Sequence, residues 1–182
     1  PNDIVQSSNG TYYFTDPPYG LPEQQNSKIR EMDACGVYKI DTNGQVDRVV
    51  GNLSRPNGIA FSPDEKILYV NQSDNAAPYI MAYQVQPDGT LKEGRIFFDA
   101  SPLLEKGLIG SLDGLKVAKD GTIFSTGPGG VLVLTPGGKL LGRIATGQRT
   151  ANCAWGDDGS TLYMTAHSCL MRIQTKTTGL GF

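Results

Sequence analysis

Three amide side chains and one carboxylate, each heading a similar short run, are the residues of this sequence best placed to do chemistry. The runs are Pro1-Asn2-Asp3-Ile4-Val5, Pro56-Asn57-Gly58-Ile59-Ala60, Leu112-Asp113-Gly114-Leu115-Lys116 and Ala151-Asn152-Cys153-Ala154-Trp155. After each comes a turn and a second apolar run: Asn9-Gly10 then TYYFTD, Pro63-Asp64-Glu65-Lys66 then ILYVNQ, Asp120-Gly121 then TIFSTG, Asp158-Gly159 then STLYMTA. The leading residue recurs after 55, 56 and 39 positions, the range of a propeller blade with variable loops. Equivalent positions of successive blades meet around one axis, so Asn2, Asn57 and Asp113 are expected to converge. Asn152 is a weaker member of the set, because its unit is shorter before the turn. A ring of side-chain oxygens is a site for a hard divalent cation, Ca²⁺ first and Mg²⁺, Mn²⁺ or Zn²⁺ as the other candidates.

The elements that must position these residues are short strands. Asn-Gly and Asp-Gly between alternating apolar runs are strong hairpin signals, because those residues tolerate positive φ. Unit one reads IVQSS, TYYFTD, GVYKID and VDRVV, and unit two reads IAFS, ILYVNQ, YIMAYQV and LKEGRIFF. Unit three reads LKVA, TIFSTG, VLVLT and KLLGRIA, while unit four has only CAWG, STLYMTA and CLMRIQT. Each full unit is two hairpins, hence one four-stranded antiparallel blade. The expected fold is an all-β propeller with blades near residues 1–53, 54–99, 100–146 and 147–182 of a single domain. With only three strands in the last unit, and a first residue already inside a motif, we expect an arc of about four blades from the C-terminal part of a six-bladed ring. The Cys169–Thr175 run should then be an exposed, mostly apolar edge.

Strand direction sorts the loops. The leader's end of the ring also carries the loop between the second and third strands of each blade, and in unit one that loop runs from Asp16 to Gly36. It is the longest in the chain and rich in Pro, Gly and polar residues, which marks a lid or specificity loop. Tyr19 follows two prolines that stiffen the backbone, so its ring is a candidate substrate contact. His167, the one histidine, sits in a leader-side loop and reads as a solvated loop residue. Trp155 reads as core between blades, and Asp3 as a supporting hydrogen-bond partner of the site.

Composition narrows the partners. A net charge of −2 with scattered Lys and Arg lacks the basic stripe of a nucleic-acid surface. No apolar run is long enough to span a membrane, so neither nucleic acid nor membrane is an expected partner. Cys35, Cys153 and Cys169 are an odd number without metal-ligand spacing. They read as buried or half-buried thiols in a reducing, cytoplasmic setting, with periplasmic or secreted placement left open by the absent N-terminus. Oligomeric state is not readable.

The runs PNDIVQSSNGTYYFTDPPYG, RPNGIAFSPDEKILYV, SLDGLKVAKDGTIF and TLYMTAHSCLMRIQTKTTGLGF resemble, in this order and over essentially the whole chain, the gluconolactonase branch of the senescence-marker protein (regucalcin) and luciferin-regenerating-enzyme family. The resemblance implies a six-bladed propeller holding one divalent cation, usually Ca²⁺, in its central channel, and hydrolysis of sugar lactones. It makes Asn57 and Asp113 metal ligands and Asn2 a ligand or a substrate contact. It casts Asp113 as general base, and it calls for a Glu ligand from an earlier blade that this sequence does not contain. Two other readings stay open: a non-catalytic Ca²⁺- or protein-binding propeller, and a same-fold aryl-ester or organophosphate hydrolase.

Overall fold

A computed structural model describes all residues from Pro1 to Phe182. The chain forms four antiparallel sheets in sequence order, arranged as blades of a β-propeller. The first holds β1 (Ile4–Gln6), β2 (Tyr12–Asp16), β3 (Gly36–Ile40) and β4 (Val46–Val50). The second holds β5 (Pro56–Phe61), β6 (Ile67–Gln72), β7 (Tyr79–Val85) and β8 (Leu91–Asp99). The third is β9 (Leu115–Val117), β10 (Ile123–Gly127), β11 (Gly130–Leu134) and β12 (Leu140–Ile144). The fourth has three strands, β13 (Thr150–Gly156), β14 (Thr161–Ala166) and β15 (Cys169–Gln174).

Period-two alternation explains the stacking, because successive side chains of a strand point to opposite faces. In β5 and β6, Ile59, Phe61, Leu68 and Val70 pack towards blade one with Tyr13, Val37 and Val50. The intervening Ala60 and Tyr69 pack towards blade three with Leu115, Val117, Ile123 and Leu132. Blade three alternates in the same way, sending Phe124 and Val131 to Cys153, Leu162 and Met164 of blade four. Trp155 joins this last interface, its ring edge-on to Phe124 at 5.0 Å and its indole N–H donating to Val117 O at 3.2 Å. Fully burying any one of these aliphatic side chains contributes about 1.5–3 kcal/mol, so the blade faces hold the arc together.

The structure differs from the sequence expectations in three places. The leaders of blades two and four lie inside their first strands rather than before them. In β5 the register jumps from Pro56 opposite Gln72 to Ile59 opposite Val70, so Asn57 and Gly58 together face Asn71. That bulge re-aims the Asn57 side chain. The linker from Ala100 to Ser111 contains a one-turn helix, α1 (Ser101–Glu105). It starts where Asp99 Oδ1 accepts the Ser101 N–H, has a proline in its first turn and tucks Leu103 against the core. Cys169, expected to be at least half-buried, is exposed because the tight β14–β15 turn carries it outward, whereas Cys35 and Cys153 are buried.

The outer strand β15 pairs only with β14, and Leu170 is 70% and Ile173 41% exposed on it. An unpaired apolar strand is a template for another chain. Residues 1–182 expressed alone should therefore self-associate. Light scattering should show larger species that shrink when Leu170 and Ile173 are both replaced by Lys; a monodisperse parent would refute the edge argument.

Candidate functional site

The first strands of the blades crowd together at the axis, and the residue after each leader decides how closely. The Gly58 N–H donates to Asp113 O at 3.0 Å, and the Gly114 N–H donates to Ala151 O at 2.9 Å. A Cβ on Gly58 would strike the Asp113 backbone, and one on Gly114 would strike Asn152. Glycine after Asn57 and after Asp113 is thus a packing requirement of the axis as well as a turn signal.

Polar residues ending the second strands fasten each blade to the next leader. Thr15 Oγ1 donates to Asn57 O at 2.8 Å, Asn71 Nδ2 to Asp113 O at 2.6 Å, and Thr126 Oγ1 to Ala151 O at 3.2 Å. All three side chains are fully buried. Thr165, the matching residue of blade four, instead donates to Asn152 O of its own blade at 3.3 Å and is exposed. The leader pattern alone does not reveal these residues. Their signal is a polar side chain closing an otherwise apolar second strand, at a position where alternation demands an inward-facing residue.

Within this frame Asn57 and Asp113 come together. Asn57 is buried, and its Nδ2 donates to Ser73 Oγ at 2.9 Å. Burial pushes the Asp113 carboxyl up to about 6, a hydrogen bond from the Asn57 side chain opposes the rise, and the charge of Asp3 adds to it. Asp3 is held by the N–H groups of Ile4 at 2.9 Å and of Ile59 at 3.2 Å. It also has a cation of its own, Lys116 Nζ at 4.0 Å. Asp113 has none. A desolvated carboxylate with no basic partner, beside an amide and a second carboxylate, is a donor set that fits a hard divalent cation. No group of three or more His, Cys, Asp or Glu gathers anywhere in the chain, so an ion here would have to draw on amide oxygens as well as carboxylates.

The remaining expected residues separate into a neighbouring group. Asn2 is exposed and, with Tyr19, lines a cavity of about 620 Å³ beneath the Asp16–Gly36 loop. The loop is ordered as two short 3₁₀ turns, Pro18–Gly20 and Gln24–Asn26. Arg30 also lines the cavity, donating to the Cys35 sulfur at 3.4 Å. Asn57 and Asp113 are not part of this wall; it is Asp3, next to Asn2 in the chain, whose carboxylate reaches blade two by accepting the Ile59 N–H. Asn152 Oδ1 accepts the Cys153 N–H at 2.8 Å, so its oxygen is already engaged by its own strand. His167 is exposed in the β14–β15 turn with φ 54°, and its side chain makes no hydrogen bond.

The profile of the SMP-30/Gluconolactonase/LRE-like region matches residues 1–168. The chain belongs to this family. It is 40% identical over 182 residues to a gluconolactonase of Zymomonas mobilis, covering 98% of this chain and 51% of that protein. A solved gluconolactonase of Xanthomonas campestris superposes with a TM-score of 0.82 at 34% identity, covering 96% of this chain and 56% of the other. A calcium-binding regucalcin of Agrobacterium tumefaciens shares the fold at TM-score 0.72 and 21% identity, with 100% of this chain and 62% of that one covered. The chain thus spans about half the length of the curated gluconolactonase. No helix is long and apolar enough to cross a membrane.

The raised Asp113 value has a thermodynamic consequence. A carboxyl whose folded pKa of about 6 exceeds its unfolded value of about 3.9 binds its proton more tightly when folded. Its contribution to stability is complete below pH ~4 and is lost as the pH rises through ~6. In chelator, Asp113→Asn should match the parent Tm near pH 4 and exceed it at pH 7.5. A Tm difference that does not change with pH would show that the carboxylate is not desolvated.

Proposed function

We propose that this chain carries the catalytic metal site of a lactone hydrolase acting on sugar lactones of the gluconolactone type. The observation that carries the reading is the desolvated Asp113 carboxylate, without a basic partner, set against the buried Asn57 amide at the propeller axis. Membership of a family that includes gluconolactonases supports the substrate class.

Asn57 Oδ1 and the Asp113 carboxylate would hold the ion, with Ca²⁺ the best match to oxygen donors of low total charge. A divalent cation bound there supplies a Lewis acid that polarises the lactone carbonyl and stabilises the developing oxyanion. Asp113 accepts the proton of the water that attacks this carbonyl. The ring C–O bond then breaks, and Asp113 returns that proton to the ring oxygen, leaving the open hydroxy acid. Tyr19 and Asn2, on the wall of the cavity beneath the loop, contact the sugar hydroxyls. The aromatic face covers the ring carbons, and the amide offers both a donor and an acceptor.

Proton release on a panel of aldonolactones tests the reading. Chelation should abolish turnover and added Ca²⁺ restore it. Asp113→Asn keeps an oxygen but removes the base, and should lower kcat by a factor on the order of 10² or more. Tyr19→Ala should raise KM with a smaller effect on kcat. Turnover that survives chelation, or an unchanged kcat in Asp113→Asn, would leave these residues as braces of the ring.

Residues 1–182 alone offer few side-chain oxygens to an ion that takes about six to eight. Calorimetry on this chain should accordingly show Ca²⁺ binding weaker than micromolar. Tighter binding would reveal ligands beyond Asn57 and Asp113.

A further inference from the structure

Ser73 belongs to none of the leader runs, yet its hydroxyl decides which end of the Asn57 amide is left free. The residue follows β6, is buried, and is fixed by its own N–H, which donates to Arg55 O at 2.9 Å. Its Oγ meets two groups, the Leu112 backbone carbonyl and Asn57 Nδ2, the latter at 2.9 Å. A carbonyl only accepts, so the single hydroxyl proton goes to Leu112. The Ser73 oxygen then presents only lone pairs to Asn57 and must receive an N–H from it. A reversed amide would set two oxygens against each other and lose a hydrogen bond between two buried side chains, which is costly.

The electrostatics at Asp113 agree. Against the rise from burial, the Asn57 side chain lowers the pKa of its carboxyl, as a donor does to a group that only accepts. The NH₂ end of Asn57 is committed to Ser73, and the amide oxygen is the group left over. The one fully buried side-chain polar atom without a partner is Tyr83 Oη. Asn57 Oδ1, for which the chain supplies no donor, consequently opens onto solvent.

We propose that Ser73 is a positioning residue that locks the Asn57 amide with its oxygen, not its nitrogen, free at the propeller axis. The use made of that oxygen, as a cation ligand, rests on the lactonase reading above; the orientation itself does not. The relay also links the two candidate ligands, because the Leu112 carbonyl that takes the Ser73 proton belongs to the peptide bond leading into Asp113.

The test is the ¹⁵N–¹H spectrum of the side-chain amides in chelator, with the Asn57 pair identified by its loss in Asn57→Asp. The parent should show a pair displaced from exposed asparagines and slow to exchange with water. Ser73→Ala should move the pair towards the exposed position and cut its protection by about tenfold, while Ser73→Thr, which keeps the hydroxyl, should restore both. If Ser73→Ala does not fold, Ser73→Cys, of similar size and a weak acceptor, gives the same comparison. A pair unchanged in Ser73→Ala, or unprotected in the parent, overturns the proposal. Titration of the parent with Ca²⁺ to millimolar levels separates the two ideas. A protected pair that Ca²⁺ leaves unmoved counts against the cation site and leaves the role of Ser73 standing.

Discussion

The backbone contact between neighbouring first strands at the axis, Gly58 N–H to Asp113 O and Gly114 N–H to Ala151 O, is the constraint on which the rest of the structure depends. Blades are wedges, and at their narrow ends there is room for backbone but not for side chains. A glycine must follow Asn57 and Asp113, since a Cβ at either position would strike the next blade. A buried acceptor with lone pairs unused is expensive. The Thr15 hydroxyl serves the Asn57 carbonyl, while the amide of Asn71 and the hydroxyl of Thr126 give the Asp113 and Ala151 carbonyls a second donor beside the glycine N–H groups. Further out, where the wedges widen, large apolar side chains fill the space in three successive layers.

The chemistry at the axis follows from this packing. Asp113 is half-buried, and that burial raises its carboxyl to about 6, with the adjacent Asp3 charge working in the same direction. Lys116 is close enough to temper Asp3, but no basic residue reaches Asp113. A stable fold would gain by neutralising such a carboxylate, and its persistence is the kind of local cost that marks a functional site. In the proposed site Asn57 would contribute an uncharged oxygen, which would allow a divalent ion to retain positive charge.

The propeller fold tolerates wide sequence change. A luciferin-regenerating enzyme only 15% identical superposes at TM-score 0.79, as expected where blade faces require apolar side chains of suitable volume rather than particular residues. The Asp16–Gly36 loop lies outside these apolar layers. Its two 3₁₀ turns place Tyr19 and Arg30 on a cavity wall, and a loop of this kind can change substrate preference without disturbing the axis.

By itself the sequence determined the all-β architecture, because Asn-Gly and Asp-Gly turns and period-two apolar runs are local signals that need no knowledge of neighbours. It also determined the phase of the leaders, since Asn57 and Asp113 stand at equivalent points of their units, followed by glycine. The tertiary structure decided the rest. The bulge that puts Asn57 inside β5 is visible only in the register with β6. The division of the expected set, with Asn57 and Asp113 at the axis and Asn2 and Tyr19 on a cavity wall, depends on how far blades and loop fold over one another. Ser73 reaches Asn57 across 16 residues and Leu112 across 39. A hydroxyl proton given to one blade so that an amide on another faces the right way is a property of three segments meeting. No local pattern encodes such a meeting, because each segment is unremarkable until the wedge geometry brings it against the other two.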